Sequence, residues 1–107
     1  MSNEQSAVSK AFQAFLEGAP KHAGAWITAV QALGEASSLD RKTSALAYLA
    51  VLAALRLDSG VPFHVKLAKQ AGASRDEVIS ALLVGLPAAG EWHHAVAPAA
   101  IEANDTE

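Results

Sequence analysis

The chain contains no cysteine among its 107 residues. Disulfides, thiolate metal ligands and any thiol nucleophile or redox centre supplied by this chain are therefore excluded. Aromatic residues make up only 6% of the sequence, so little is available to build strands. Alanine, by contrast, occurs 25 times, and it favours helices because it loses no side-chain entropy. The composition predicts an all-α fold of about six helices in a single domain over residues 1–107, with frayed ends near 1–4 and 104–107.

The sequence also has no large excess of charge of either sign and no long apolar run. The net charge is −3, and the eight Lys and Arg residues are scattered without forming a basic block, which argues against a nucleic-acid partner. The N-terminal segment MSNEQSAVSK is polar and lacks the apolar core of a signal peptide. The longest apolar run, Ala45–Leu55, is far shorter than the roughly 18 residues of a membrane span. We therefore predict a soluble cytoplasmic protein without a membrane partner.

The first half of the chain predicts three helices. Apolar and polar residues alternate with helical spacing over Gln5–Glu17, and a second helix opens at Pro20 and fades near Gly34–Ser38. Asp40 is a candidate N-cap for the third helix. That helix is apolar around most of its circumference over Ala45–Leu57, which predicts burial on several sides, in the centre of the domain or of an oligomer.

The second half begins with a predicted turn at Asp58–Gly60. Pro62 suits the first turn of a fourth helix, and Gly72 is a candidate residue to end it. Ser74 and Glu77 have the spacing of a capping box, in which each side chain accepts from the other residue's backbone amide.

The capping box opens a fifth helix, which continues through Leu86 until Pro87 and Gly90 break or kink it. A sixth helix is predicted over Trp92–Ala103, followed by a polar tail that frays.

Four segments in this order resemble the carboxymuconolactone decarboxylase and alkylhydroperoxidase D-like family. They read LDRKTSALAYLAVLAALR, LDSGVPFH, AKQAGASRDEV and ALLVGLPAAG, and together they cover Leu39 to Gly90 in unbroken register. The resemblance implies an alkylhydroperoxidase D-like helical domain. It also implies a homo-oligomer, a trimer or a hexamer, and the many apolar residues of so short a chain independently favour self-association.

The resemblance also exposes a departure from the peroxidase branch of the family. Where that branch has a glutamate, two cysteines and a histidine, this chain has Ala45, Leu57, Gly60 and His64. Leu57 and Gly60 can form neither a thiolate nor a disulfide, so cysteine-dependent hydroperoxide chemistry is excluded even if a family label calls the protein peroxidase-like. The decarboxylase branch does not use the cysteine pair and remains open.

His64 is the first candidate catalytic residue. Near the N-terminus of a helix its imidazole is expected to be neutral near pH 7, and it could then act as acid or base in a small lyase, isomerase or decarboxylase on a lactone or carboxylate. Tyr48 is the second candidate, because helical spacing places it on the same face of the third helix as Ala45. No cofactor and no metal are expected.

Two alternatives to this enzyme hypothesis remain. In the first, His64 is retained to hydrogen-bond a neighbouring helix after activity was lost, and in the second it is exposed with no role. The protein would then be a catalytically inactive homologue of the peroxidase branch that binds a small molecule or a partner.

Other polar and aromatic residues each have two interpretations. Glu91 and His94 have the spacing of an ExxH metal unit but lack a second unit, so the start of a surface or interface helix is the alternative. Lys66 and Lys69 would attract an anionic substrate or form a solvated face. The aromatic residues are expected to be core or subunit contacts rather than a substrate cage; they are Phe12, Phe15, Trp26, Tyr48, Phe63 and Trp92.

Overall fold

The computed structural model describes residues 9–89 and 98–106. Within these two ranges the chain forms seven α-helices, one 3-10 turn and no strand, which confirms the all-α class. None of the helices described is both long and apolar enough to cross a membrane. The helices are α1 (Lys10–Gly18), α2 (Pro20–Ala36), α3 (Arg41–Ala54), α4 (Val61–Gln70), α5 (Arg75–Leu83), α6 (Leu86–Ala89) and α7 (Pro98–Asp105), and the 3-10 turn is Asp58–Gly60.

Helix α1 begins later than the sequence predicts. Ser9 has an extended backbone and its hydroxyl accepts from the Phe12 amide at 3.1 Å, which makes Ser9 the N-cap. A continuous helix over Gln5–Glu17 is therefore wrong at its start, because a serine that caps the next turn leaves the helical backbone conformation. The predicted turns before Ser9 lie outside the described residues.

Helices α2 and α3 begin where predicted, but α3 ends early. Asp40 caps α3 by accepting from the Thr43 amide at 2.7 Å. The helix closes after Ala54 because Arg56 adopts a left-handed backbone with φ of 58°, and the Leu57 amide donates to the Leu52 carbonyl at 2.9 Å. This bond satisfies a carbonyl at the helix end, so the apolar pattern that continues to Leu57 belongs partly to a turn.

The predicted signals around α4 and α5 are confirmed. Pro62 lies in the first turn of α4, and Gly72 follows that helix with a φ of 99°. The Glu77 amide donates to the Ser74 hydroxyl at 3.1 Å, and the Ser74 amide donates to the Glu77 carboxylate at 2.8 Å. Both halves of the capping box are thus formed.

Removing this cap is expected to weaken the domain measurably. Ser74→Ala should lower the free energy of unfolding by about 1 kcal/mol, because the Glu77 amide loses its acceptor. Urea denaturation followed by circular dichroism measures the change. Ser80→Ala is the matched control, since Ser80 is exposed inside the same helix and its loss should stay within about 0.5 kcal/mol. Equal effects at the two positions would contradict the capping role.

Helix α5 stops at Leu83 instead of continuing through Leu86. The Val84 amide donates to the Ala81 carbonyl, and Gly85 lies in the turn that follows. Helix α6 then starts at Leu86, with Pro87 as its second residue. Glycine weakens a helix interior and proline favours a first turn, so the two residues divide the predicted helix in two.

The predicted sixth helix is described only from residue 98 onward. The residues at 90–97, including Trp92, lie outside the described ranges. In the structure α7 is helical to Asp105, and Asn104 is only 6% exposed.

The core lies where α3, α4, α5 and α7 meet. Helix α4 packs against α3 and α7, and α3 also packs against α5. Helix α2 contacts mainly α1 and buries only Ala23 of its seventeen residues. The central position of α3 agrees with the sequence, although the described residues bury Leu49 and Leu52 and leave Tyr48 and Val51 of the same helix exposed. The buried apolar side chains of the core are Leu49, Leu52, Val61, Val65, Ala68, Val78, Leu82 and Ala103.

Candidate active site

His64 projects from the first turns of α4, directly after the 3-10 turn. Pro62 fixes the backbone angle φ at the start of the helix, and Val61 and Val65 anchor the same turns in the core. The His64 side chain itself is half-buried. The candidate residue is therefore held by a well-packed helix while part of its imidazole stays accessible.

Two aromatic rings contact the His64 imidazole. The Tyr48 ring on α3 stacks on it with centroids 4.3 Å apart and planes 27° apart. The Phe63 ring meets it edge-on, with centroids 5.3 Å apart and planes at 87°. The structure thus brings the two sequence-predicted site residues, Tyr48 and His64, into direct contact. We call this pair the Tyr48–His64 stack.

Burial lowers the pKa of His64 below its ordinary value of 6.5. Desolvation disfavours the charged imidazolium, so the ring is neutral at pH 7 and its unprotonated nitrogen is a proton acceptor. The sequence also predicts a neutral imidazole, from the position near a helix N-terminus, but the cause in the structure is burial between α3 and α4.

The lowered pKa predicts how stability depends on pH. The unfolded chain binds a proton at His64 near pH 6.5, whereas the folded chain does so only at lower pH. Between the two values the unfolded state holds more protons, so the free energy of unfolding rises with pH through this window and is lowest below it.

Urea denaturation at about pH 5 and about pH 7.5 measures this contribution. His64→Gln should remove the contribution of His64 to the pH dependence of the free energy of unfolding. His22→Gln, at an exposed position on α2, is the matched control. The same pH dependence in wild type and His64→Gln would contradict the assignment.

The positions that bear cysteines in the peroxidase branch lie just before His64. The Gly60 amide donates to the Leu57 carbonyl at 3.1 Å, which closes the 3-10 turn. A Cβ at Gly60 would meet the Leu52 side chain at 3.7 Å, an ordinary van der Waals contact. The turn therefore has room for a side chain at residue 60, and the missing redox centre reflects the residues present rather than a collapsed backbone.

An exposed apolar stripe runs along α3 from the stack. Tyr48, Val51 and Leu55 occur at helical spacing on one face, with exposed fractions of 49%, 52% and 62%. Leu57, in the following turn, is also half exposed. Exposed apolar surface thus continues from the Tyr48 ring along this face of α3.

A separate open groove of about 650 Å³ lies between α3 and α5. We call it the α3–α5 groove. Its floor is made largely of small or branched apolar side chains, and the charged residues among its described lining are two carboxylates, Asp76 and Glu77. Lys42 pairs with Glu77 at 2.7 Å, and this hydrogen bond holds the pKa of the Glu77 carboxyl below its usual value.

A polar cluster ties the end of α7 to α4 and α5. The Lys69 ammonium donates to the Asn104 carbonyl, and the Arg75 guanidinium pairs with the Asp105 carboxylate at 2.9 Å. Lys69 is therefore engaged in a structural contact and is not simply part of a solvated face. Within the described residues, the buried Asn104 side-chain oxygen has no hydrogen-bond partner.

Metal-ligating residues do not cluster in the part of the chain that the structure describes. No group of three or more His, Asp or Glu side chains there could hold an ion. The ExxH spacing of Glu91 and His94 lies outside the described residues.

The sequence places Tyr48 on the face of α3 that bears Ala45, and the structure puts its ring against His64. Two features of this region were not predicted. Phe63 is expected to be a core or subunit contact, yet its ring also packs against the imidazole in a T-shaped arrangement. The α3–α5 groove also had no signal in the sequence beyond the small residues of α3, because its walls come from two helices far apart in the chain.

Comparison with known proteins assigns the family. The sequence model of the carboxymuconolactone decarboxylase family matches residues 20–100, more than half of the chain and all of the segment from α2 to α6. No curated protein and no solved structure matches the chain. The all-helical architecture agrees with the fold of that family. The chain therefore belongs to the carboxymuconolactone decarboxylase family.

Proposed function

We propose that the protein is a small lyase, isomerase or decarboxylase that acts on a lactone or a small carboxylate, with His64 as its acid or base. The observation that supports this most directly is the Tyr48–His64 stack, which holds a neutral, half-buried imidazole in a fixed orientation. Family membership supports the class of substrate. It does not by itself assign a reaction, because one fold hosts many chemistries.

The chemistry of the stack suits proton transfer next to a carbonyl group. A neutral imidazole with a lowered pKa can abstract a proton near pH 7 and return it as the imidazolium in a later step. Tyr48 supplies a phenol whose hydroxyl can donate to a substrate carboxylate or carbonyl oxygen. The apolar stripe beyond the stack would contact the hydrocarbon part of such a substrate.

A thermal-shift screen against small lactones, muconate-like acids and hydroperoxides tests the proposal. A ligand at about 100 times its dissociation constant should stabilise the wild type by about 2.7 kcal/mol. The shift should be lost in His64→Ala and retained in His22→Ala. Compounds that shift the melting temperature are then assayed for turnover. If no lactone or carboxylate shifts the wild type, the enzyme hypothesis is wrong.

A second candidate function is non-catalytic binding by an inactive homologue of the peroxidase branch. The exposed stripe of Tyr48, Val51 and Leu55 favours it, because contiguous apolar surface of this kind commonly marks an interaction site. A compound or protein that binds this face without being converted would support this candidate. In that case Val51→Asp should abolish binding, and no compound that binds this face should be turned over.

We also propose that the protein is a homo-oligomer, a trimer or a hexamer. Helix α2 carries Trp26, Val30 and Leu33 on its surface with exposed fractions of 54%, 47% and 69%. A helix that buries one residue in seventeen contributes little to its own chain's core, and a partner would cover this apolar face. Light scattering coupled to size-exclusion chromatography tests the proposal, and a monomer at micromolar concentration would contradict it.

A further inference from the structure

The C-terminal helix α7 is held at its last turn by polar groups from two other helices. The Lys69 ammonium, in the last turn of α4, donates to the Asn104 carbonyl. The Arg75 guanidinium, at the start of α5, pairs with the Asp105 carboxylate at 2.9 Å, and the Asn104 side-chain amide donates to the same carboxylate at 3.3 Å. We call these four residues the α7 latch. It joins the end of α7 to both α4 and α5.

The residues that end α7 suit docking better than they suit an isolated helix. Asparagine and aspartate are weak helix formers, and a carboxylate at a helix C-terminus meets the negative end of the dipole. The latch offsets this, because Asp105 faces the Arg75 guanidinium. Lys69 contacts one of the end carbonyls of α7 from the last turn of α4, so one ammonium lies at the negative ends of two helices. The end of α7 therefore depends on cations from its neighbours.

Docking of α7 also carries a cost that makes it reversible. Asn104 is 6% exposed, and its side-chain oxygen has no hydrogen-bond partner within the described residues, whereas water would supply one on opening. The other side chain of α7 that the structure describes as buried is a small one, Ala103. A helix of eight residues is marginal in water, so α7 unfolds when it leaves the surface. Its release therefore requires less free energy than unfolding of the whole chain.

Helix α7 packs against the helix that carries His64. Helix α4 contacts both α3 and α7, while these two have few direct contacts with each other, so they cover different sides of α4. Ala103 of α7 joins the core cluster that contains Val65 and Ala68 of α4. Since Val65 directly follows His64, the position of the imidazole on the Tyr48 ring depends on α4 being held from the α7 side.

We propose that α7 is a salt-sensitive strap: it docks reversibly on α4 through the α7 latch, and its release loosens the Tyr48–His64 stack. The side chains of Arg75 and Asp105 are about half exposed, so salt screens their attraction. The screening length falls from about 10 Å at 0.1 M salt to about 3 Å at 1 M. The strap acts on the site of the proposed function, and its consequence for catalysis rests on that proposal. Its test needs no substrate, so the two can fail separately.

Hydrogen exchange of the full chain, at one fixed protein concentration, measures docking because the amides of undocked α7 exchange with solvent. In the wild type, α7 should exchange faster than α3, since α7 opens without global unfolding. Raising the salt from about 0.1 M to about 1 M should increase α7 exchange further. Equal rates in α7 and α3, or α7 exchange that salt leaves unchanged, would overturn the strap.

Two variants remove parts of the latch. Lys69→Met keeps the apolar stem but removes the charge-assisted bond, and it should increase α7 exchange about tenfold. Asp105→Ala should increase it about two- to fivefold, although alanine favours a helix and loss of the carboxylate suits the dipole. Lys66→Met and Glu102→Ala are the matched controls on the same two helices, outside the latch, and α7 should exchange within about twofold of the wild type in both.

The His64 ring reports the link to the site. The stacked Tyr48 ring shifts the signals of the His64 ring protons in the NMR spectrum. This shift should shrink in Lys69→Met, and in the wild type at about 1 M salt, but not in Lys66→Met. A bond that only stabilises the end of α7 would not move this signal.

Asn104→Leu tests the cost of docking from the opposite direction. Leucine has a similar shape and no unpaired oxygen, so α7 should exchange at least about threefold more slowly than in the wild type. Faster exchange in this variant would overturn the reversible docking. Unchanged exchange in Lys69→Met and Asp105→Ala would overturn the latch, and faster α7 exchange with an unchanged His64 signal would overturn the link to the stack. A substrate screen without a ligand would contradict the proposed function and leave each of these outcomes in force.

Discussion

Replacing Leu49 with alanine is expected to lower the free energy of unfolding by about 2–5 kcal/mol. Leu49 is 0% exposed and lies in the core cluster with Leu52, Val65 and Val78. The substitution removes buried methyl groups and leaves a cavity that the surrounding helices α3, α4 and α5 can only partly close. Since domains are usually stable by about 5–15 kcal/mol, this one change removes a large share of the total.

Urea denaturation at one fixed protein concentration measures the effect, because assembly would make stability depend on concentration. Leu55→Ala is the matched control, at a residue that directly follows α3 and is 62% exposed, and a monomer should lose less than about 0.5 kcal/mol there. Similar losses for Leu49→Ala and Leu55→Ala would mean that α3 is not buried on the side that the structure assigns.

The second large effect concerns catalysis. Once a substrate is identified, His64→Ala is expected to lower kcat/KM by about 10²- to 10⁴-fold, the usual contribution of a positioned general acid or base. Tyr48→Phe preserves a ring that can stack on the imidazole but removes the hydroxyl. It should lower kcat/KM by a smaller factor, about 10- to 100-fold, the share of a hydrogen bond to a charged group.

His22→Ala provides the matched control, because His22 is exposed on α2 and does not belong to the stack. The pH profile adds a readout that a purely structural role would not change. In the wild type, kcat/KM should fall with decreasing pH only at the lowered pKa of His64, below 6.5. Activity in His64→Ala within tenfold of the wild type would contradict the acid or base role.

Local signals in the sequence predict the helix boundaries well where they satisfy backbone groups within a few residues. Asp40, Ser74 and Gly72 act as the sequence indicates, because a cap and a left-handed glycine depend on the nearest turn alone. The predicted start of the first helix is wrong at Ser9 because a serine within a helical pattern can either continue the helix or cap it. The pattern of polar and apolar residues does not decide between these two roles.

Features that depend on distant contacts are predicted less completely. Helix α3 is apolar on most sides, yet within one chain Leu49 is buried and Leu55 is exposed. Hydrophobic periodicity cannot distinguish a face buried by the same chain from one available to another chain. The burial of Asn104 was also missed, because its polar tail gave no indication that Lys69 would hold the end of α7.

The candidate site shows the same difference between features set by local sequence and features set by distant contacts. Helical spacing identifies Tyr48 as a neighbour for His64, but the stacked orientation depends on how α3 and α4 are joined by the turn between them. The edge-on contact with Phe63 depends on side-chain rotamers that no spacing rule fixes. The sequence therefore pairs Tyr48 with His64 but does not indicate the contact of Phe63, and the geometry of both contacts requires the structure.

The sparse contacts of α2 have a consequence for amide hydrogen exchange. Since α2 packs mainly on α1, this helical pair can open without disturbing the core, as a cooperative unit of low stability. Backbone amides in α2 should then exchange much faster than those of α3 and α4, whose exchange requires global unfolding. If a second copy covers α2, the protection of the α2 amides from exchange should increase with protein concentration, while that of the core amides changes far less. The exchange rate of this helix pair would then measure association.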